Sequence, residues 1–465
     1  MPSKRTAPRA SRERRDPDPP SALCVDLYEL TMAQSYLERG LRGEATFGVW
    51  VRRLPPDWGF LVAAGWPRVL DFAGGLRFAP DDIAYLRSTA LFRAEFLAAL
   101  PALRWRGRMR AIQEGCPFFA GEPILEVTSP LPEAQLLETL ALCALQLPIL
   151  AATKAARCLE AARGRTVVDF AMRRAHGLDA AHQVARSAFL AGMAATSNVE
   201  AARRWDIPVV GTMAHSYVMA FASELDAFRA YADSNPEHCV LLVDTYDTLE
   251  GVRRAAQVGC EMRARGAALR GIRIDSGDLA ELARQARALL DAADLGGVEI
   301  LTSGGLDEHR IAALVERGAP IDGFGVGTGL GVPADAPTLD IVYKLVAYEG
   351  RPVAKQSPGK ESFPGARQVW RDIESGRARG DRVGLAGEKP AADARSEPRA
   401  LLVDAVESAD AVAALRSARA DHAAWLGEIP AGCRRLRRPD PYPVRDTPAL
   451  AALIRQARGG QTGST

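Results

Sequence analysis

From about residue 150 the sequence repeats one unit: a short β-branched or apolar run, an amphipathic stretch of helix length, then another run. Six runs occur, at 166–170, 207–211, 240–244, 271–275, 298–302 and 323–326. Strands joined through helices lie parallel, because a parallel pair needs a long crossover connection. A parallel sheet is covered on both faces, so the middle of the chain is committed to an α/β layer architecture. Six βα strands are fewer than a closed eightfold barrel needs. The expected fold class is therefore α/β, with an incomplete or irregular parallel β/α barrel, and a doubly wound sheet as the alternative.

The flanks read differently. Residues 1–20 carry six basic and three acidic side chains and five prolines with no apolar run. They suit a disordered tail better than a secretory or transit peptide. Over 21–149, Leu27, Leu30, Ala33 and Leu37 stand at helical spacing before Gly40, and 47–51 and 123–127 read as strands. This predicts an α+β domain. After the barrel region, 150–349, the segment 350–458 opens on a Lys/Pro/Gly loop at 355–365 and continues through charged, turn-rich text at 374–398. A strand at 401–403 and a helix at 411–426 follow, and the segment is expected to pack back on the N-terminal domain. Residues 459–465 form a polar tail.

Composition excludes several classes. Fifty-nine Lys and Arg against 57 Asp and Glu leave a formal charge of +2, so no global field recruits nucleic acid or a membrane surface. The seven cysteines are odd in number, scattered and without a C-x-x-C pair, as expected of reduced thiols in a cytoplasmic protein. The most apolar stretch, 136–152, is interrupted by Glu138, Gln146 and Pro148 and reads as a buried helix.

In parallel βα architectures, reactive groups gather at the carboxyl ends of the strands, where the loops converge and the next helix begins. Here the six runs lead into Phe170-Ala171-Met172-Arg173-Arg174, Thr212-Met213-Ala214-His215-Ser216, Asp244 to Asp247, Arg273-Ile274-Asp275-Ser276-Gly277-Asp278, Ser303-Gly304-Gly305 and Gly327-Thr328-Gly329. The two late glycine loops suit a phosphate monoester, because bare glycines let backbone N–H groups reach its oxygens. Asp275 and Asp278 can accept bonds from ribose hydroxyls or hold Mg²⁺ through water, and the plain alternative is a helix-capping turn. Arg173, Arg174 and Arg273 imply an anionic substrate, unless they are surface charges. His215, taken alone, is more often a hydrogen-bonded scaffold residue than a nucleophile.

Together, Asp26-Leu27-Tyr28-Glu29-Leu30-Thr31-Met32, Phe170 to Gly177, Gly211 to Ser216 and Arg273 to Asp278 resemble the nicotinate phosphoribosyltransferase family. Lys344, the 355–365 loop and Gln368-Val369-Trp370 extend the resemblance, which runs from about 24 to 371. It implies a barrel enzyme that uses 5-phosphoribosyl 1-diphosphate with Mg²⁺, and ATP through a phosphorylated histidine at His215. It implies Tyr28 and Phe170 on the pyridine ring, and Arg173, Thr212 and Arg273 on the carboxylate or the phosphoribosyl group. Asp275, with Asp278, would hold the ribose, and Ser303, Gly304, Gly305, Gly327 and Thr328 its phosphate. A homodimer with Tyr28 supplied across the interface is expected, with small molecules as partners and neither nucleic acid nor membrane. The sequence departs at Ala171, where the family often has glycine.

Three rivals are weaker. A nicotinamide phosphoribosyltransferase would want an acid near Thr212-Met213-Ala214-His215 to accept the amide N–H, and none stands there. A non-catalytic nucleotide-binding homologue would have lost His215, Asp275 or the glycine loops. A sugar-phosphate lyase would need a Schiff-base lysine at a strand end, and no end carries one.

Overall fold

The structure, a computed structural model, describes residues 21–355, 357, 362–389 and 396–459. The tail expected at 1–20, nearly all of that at 459–465, and part of the 355–365 loop lie outside the described residues.

The N-terminal region contributes β1 (Glu44–Val51), β2 (Arg108–Ile112) and β3 (Pro123–Pro130). The βα region contributes β4 (Thr166–Asp169), β5 (Val240–Leu242), β6 (Gly271–Ile274), β7 (Glu299–Thr302) and β8 (Gly323–Val326). After these come β9 (Ile341–Tyr348), β10 (Arg367–Glu374), β11 (Arg377–Leu385), β12 (Glu397–Ala400), β13 (Leu402–Asp404) and β14 (Val444–Asp446).

The parallel sheet runs β4-β8-β7-β6-β5. Its strands are buried runs such as Ile272, Ile274, Ile300 and Val326, all at 0% exposure, as a sheet covered on both faces requires. The expected strand at 207–211 is reduced to a single parallel bridge, Thr196 to Val209, and Thr196 bridges in turn to Asp169 of β4. The wall therefore continues past β4 through two rudimentary strands and stops. Among the described residues no strand pairing joins Val209 to β5, so the barrel is irregular and open on that side. The turns leading into the next helices close with caps: Asp247, Asp278 and Asp307 each accept backbone N–H groups of the following helix.

The second sheet places β9, β1, β3, β2 and β13 side by side, antiparallel, with the short Arg351–Pro352 strand at its edge. Strand β9 thus belongs with the N-terminal region, and the parallel sheet ends at β8, earlier than the boundary at 349 read from the sequence. The boundary at 150 falls inside one continuous helix, Glu138–Ala162. β13 pairs with β2, and a third sheet, β12-β10-β11-β14, completes the C-terminal region. Arg371 of β10, fully buried, donates to Asp381 of β11 at 2.7 and 2.9 Å and to the carbonyl of Pro117 at 2.9 Å, tying this sheet to the N-terminal region.

Leu131–Ala162 is long and apolar enough to cross a membrane by composition alone, but 67% of its most apolar window is buried within the protein. It separates the two hydrophobic cores, with Leu140, Leu145 and Ile149 in one and Ala152, Ala155 and Cys158 in the other. Burying each of the leucine and isoleucine side chains contributes roughly 1.5–3 kcal/mol, and apolar text runs around much of the helix because both faces meet a core. The first helix, Leu27–Glu38, is fixed to it through Glu29, whose Oε1 accepts from the Thr139 backbone N–H at 3.1 Å. Burial pushes the Glu29 carboxyl up to about 7, against the bonds from Thr139 and Asp26 that favour its charge.

Candidate active site

The carboxyl ends of the parallel strands are laced to one another by side chains. At the end of β4 the buried Asp169 accepts from the Ala171 N–H at 2.7 Å and the Thr196 hydroxyl at 2.6 Å, which turns the chain immediately beyond Phe170. Phe170 donates its N–H to Val326 of β8 at 2.8 Å, and its ring lies against Gly325, where an added Cβ would come within 2.4 Å of the ring. Glycine in β8 therefore makes room for the aromatic ring at the rim.

Arg273, the third residue of β6, brings its guanidinium carbon 6.0 Å from the centroid of that ring. One of its nitrogens donates to the Met213 carbonyl at 3.2 Å, while Nε is buried without a partner. Burial lowers its pKa, Asp275 and Asp244 oppose this, and the charge of Arg173 adds to it. A guanidinium remains charged at neutral pH in any such setting. The arrangement is an aromatic ring beside a planar cation with bonding capacity to spare, which suits a flat, anionic ligand.

Asp244, just beyond β5, accepts from the Asp275 N–H at 3.0 Å and the Ser276 hydroxyl at 2.6 Å, and its Oδ1 is buried without a partner. Asp275 in turn accepts from the Ser303 hydroxyl. Gly304 backs directly onto this pair: a Cβ there would stand 1.9 Å from the Asp275 carbonyl oxygen. Gly329, beyond β8, packs on the preceding loop, its hypothetical Cβ 2.7 Å from the Leu306 carbonyl. The two glycine loops are thus in direct contact. On the open side of the barrel, His215 Nδ1 lies 3.2 Å from the Thr245 hydroxyl, so a side-chain contact spans the gap that no strand closes.

Phe170, Arg273, Asp275, Ser303, Gly304 and His215 are in this way connected through neighbouring strand ends, and Gly305, Gly327 and Thr328 lie in the two loops. Thr212, half-buried, directs its hydroxyl to the Met213 carbonyl at 3.3 Å. Arg173 and Arg174 share one exposed turn. Asp278 takes the plain alternative: it caps helix Leu279–Ala292 and pairs with Arg317 at 3.1 Å. Tyr28 is 43% exposed on the first helix, with Glu29, Glu138 and Thr139 as its polar neighbours. Asp244 was not singled out in the sequence, although its place at the end of β5 was the available signal. Among the described residues no group of three or more His, Cys, Asp or Glu is set to hold a metal ion.

A family model described as the nicotinate phosphoribosyltransferase N-terminal domain matches residues 23–146, and the nicotinate phosphoribosyltransferase family model matches 166–373. The chain belongs to the nicotinate phosphoribosyltransferase family. A nicotinate phosphoribosyltransferase of Mycobacterium tuberculosis is 50% identical over 367 residues, 79% of each chain. One of Bacillus subtilis is 40% identical over 378 residues, covering 79% of this chain and 77% of its own. The crystal structure of the human nicotinic acid phosphoribosyltransferase superposes with a TM-score of 0.79 at 28% identity, covering 93% of this chain and 99% of that one. The fold described above is therefore shared with that structure.

Proposed function

We propose that this enzyme joins the ring nitrogen of nicotinate to C1 of 5-phosphoribosyl 1-diphosphate, releasing diphosphate, in the salvage of pyridine for NAD synthesis. The observation that carries the reading is Arg273 beside Phe170, with a buried Nε that has no protein partner. Phe170 takes one face of the pyridine ring, and Arg273 takes its carboxylate with Thr212 and Arg173 nearby. Asp275, held by Ser303, receives the ribose hydroxyls. The N–H groups around Gly304, Gly305, Gly327 and Thr328 receive the 5-phosphate. Asp278, already engaged as a cap, is left out of this set.

As the C1–oxygen bond breaks, positive charge builds on the ribose and the electron pair leaves with diphosphate. The ring nitrogen supplies the new pair, so no general acid or base is required. What the protein contributes is alignment and charge. Asp244, with its partnerless Oδ1, and Asp275 are hard oxygen donors of the kind that suits Mg²⁺, and would hold it together with water; the bound ion would supply positive charge towards the diphosphate leaving group.

His215 is the proposed phosphorylation site. If Nδ1 donates to Thr245, the Nε2 lone pair is left to receive the γ-phosphoryl group of ATP. Two copies of the chain are proposed to assemble, with Tyr28 supplied to the partner's ring site, a reading its 43% exposure supports. The cytoplasm suits the seven free thiols. His215→Ala is expected to abolish the stimulation of nucleotide formation by ATP, read as the ratio of rates with and without ATP. A ratio equal to the wild type's would contradict the phosphohistidine.

A further inference from the structure

Behind the two glycine loops lies a cluster of buried charges that the proposed reaction does not use. Lys154, 2% exposed on helix Glu138–Ala162, places Nζ 2.9 Å from Glu308 Oε1 and 2.6 Å from Asp335 Oδ1. Glu308 is the first residue of the helix that leaves the Ser303-Gly304-Gly305 loop. Asp335 lies in the segment that leaves the Gly327-Thr328-Gly329 loop. One ammonium group is therefore bonded to the segments following both loops.

Its surroundings fix it in place. Arg157 donates Nε to the same Glu308 oxygen at 2.9 Å, and its remaining nitrogens bond the Asp57 carbonyl at 2.8 Å and the Leu436 carbonyl at 3.2 Å. Trp58 donates its indole N–H to Asp335 at 2.9 Å and lies 5.6 Å from Lys154 and 5.3 Å from Arg157, ring centroid to cation. The two cations and two carboxylates cancel in charge, so the cluster is stable where it stands. A buried ion network is nonetheless weak as a device for stability, since apolar side chains of the same volume commonly do as well. What it supplies that apolar packing does not is a fixed direction and spacing for the groups it bonds.

We infer that Lys154 is a positioning residue: through Glu308 and Asp335 it sets the separation of the two glycine loops and so the affinity for the 5-phosphate of the co-substrate. The inference rests on the phosphate role proposed above for those loops. Lys154 does not touch the ligand. It acts through the segments that follow the two loops to which the phosphate is assigned.

The test compares Lys154→Met, Lys154→Arg and Asp335→Asn in the full-length protein. Lys154→Met leaves Glu308 buried with Arg157 alone and can fail to fold. Asp335→Asn keeps the volume at a partly exposed position, its side chain 38% accessible, and severs the charge link to the second loop only. The expected result for Asp335→Asn is a KM for 5-phosphoribosyl 1-diphosphate raised about tenfold or more, since small misplacements of binding groups are costly. Its kcat and its KM for nicotinate should stay within about threefold of wild type. Lys154→Arg should recover most of what Lys154→Met loses. Calorimetric titration with inorganic phosphate should show weaker binding by Asp335→Asn, a readout that needs no turnover. A fall in kcat with KM unchanged, wild-type phosphate binding in Asp335→Asn, or an arginine variant no better than methionine overturns the inference. A wild-type protein that binds phosphate but makes no nucleotide overturns the reaction instead.

Discussion

Gly304→Ala is expected to lower kcat/KM for 5-phosphoribosyl 1-diphosphate by about a hundredfold or more, the scale of loss when reacting groups shift by an ångström. The added Cβ would stand 1.9 Å from the Asp275 carbonyl oxygen and 3.0 Å from its carbonyl carbon. Backbone cannot swing aside as a flexible side chain can, so the ends of β6 and β7 must separate. Gly304 also sits at φ +89°, where a side chain adds strain of about 1–3 kcal/mol. Gly305→Ala is the control. Its φ is +61°, and its Cβ would meet only the tip of Arg310, at 2.6 Å, which can move. It should cost far less. Steady-state rates at saturating nicotinate, with circular dichroism to confirm folding, distinguish the two, and equal losses would place the damage outside the Asp275–Gly304 contact.

Arg273→Gln is expected to reduce kcat/KM for nicotinate about ten- to a hundredfold, corresponding to the roughly 1.5–3 kcal/mol of a hydrogen bond to a charged group. Glutamine can keep the bond to the Met213 carbonyl, but it lacks the charge and the fork. Any turnover of nicotinamide should change little, because an amide makes no charge-assisted pair. The informative quantity is therefore the ratio of the two substrates' kcat/KM. A variant that loses both substrates equally would show that Arg273 serves the phosphoribosyl group or the scaffold and leaves carboxylate recognition elsewhere.

Much of this was legible in the sequence because the parallel strands are largely buried and so are written as short, mostly apolar runs, even where Arg273 interrupts one. β4, β6, β7 and β8 fall within a residue of their expected positions. The run at 207–211 misled because Pro208 and exposed Val209 occupy an edge with no neighbour on one side, and only one bridge forms. β11 was hidden for the opposite reason. Arg377 to Leu385 reads as charged, turn-rich text, yet Asp381 is buried against Arg371 and Val383 lies in the core, so charge there signals an internal ion pair.

The placement of the candidate residues was legible wherever a strand end carried an unusual residue, and Phe170, His215, Asp275 and the glycine loops do lie at neighbouring strand ends. Asp244 and Lys154 were missed because their meaning lies in partners 31 and 154 residues away in the chain, Asp275 and Glu308, which spacing alone does not reveal. Asp278 and Asp275 look equivalent in the sequence. The fold separates them, giving one to a helix cap and the other to Ser303.

The most direct measurement is mass-spectrometric identification of the product formed by the wild-type enzyme from 5-phosphoribosyl 1-diphosphate and Mg²⁺, with nicotinate or nicotinamide offered, each with and without ATP. The account predicts nicotinate mononucleotide, formed faster with ATP, and little or none of the amide nucleotide. Nicotinamide mononucleotide as the main product, or no nucleotide from either base, would contradict it.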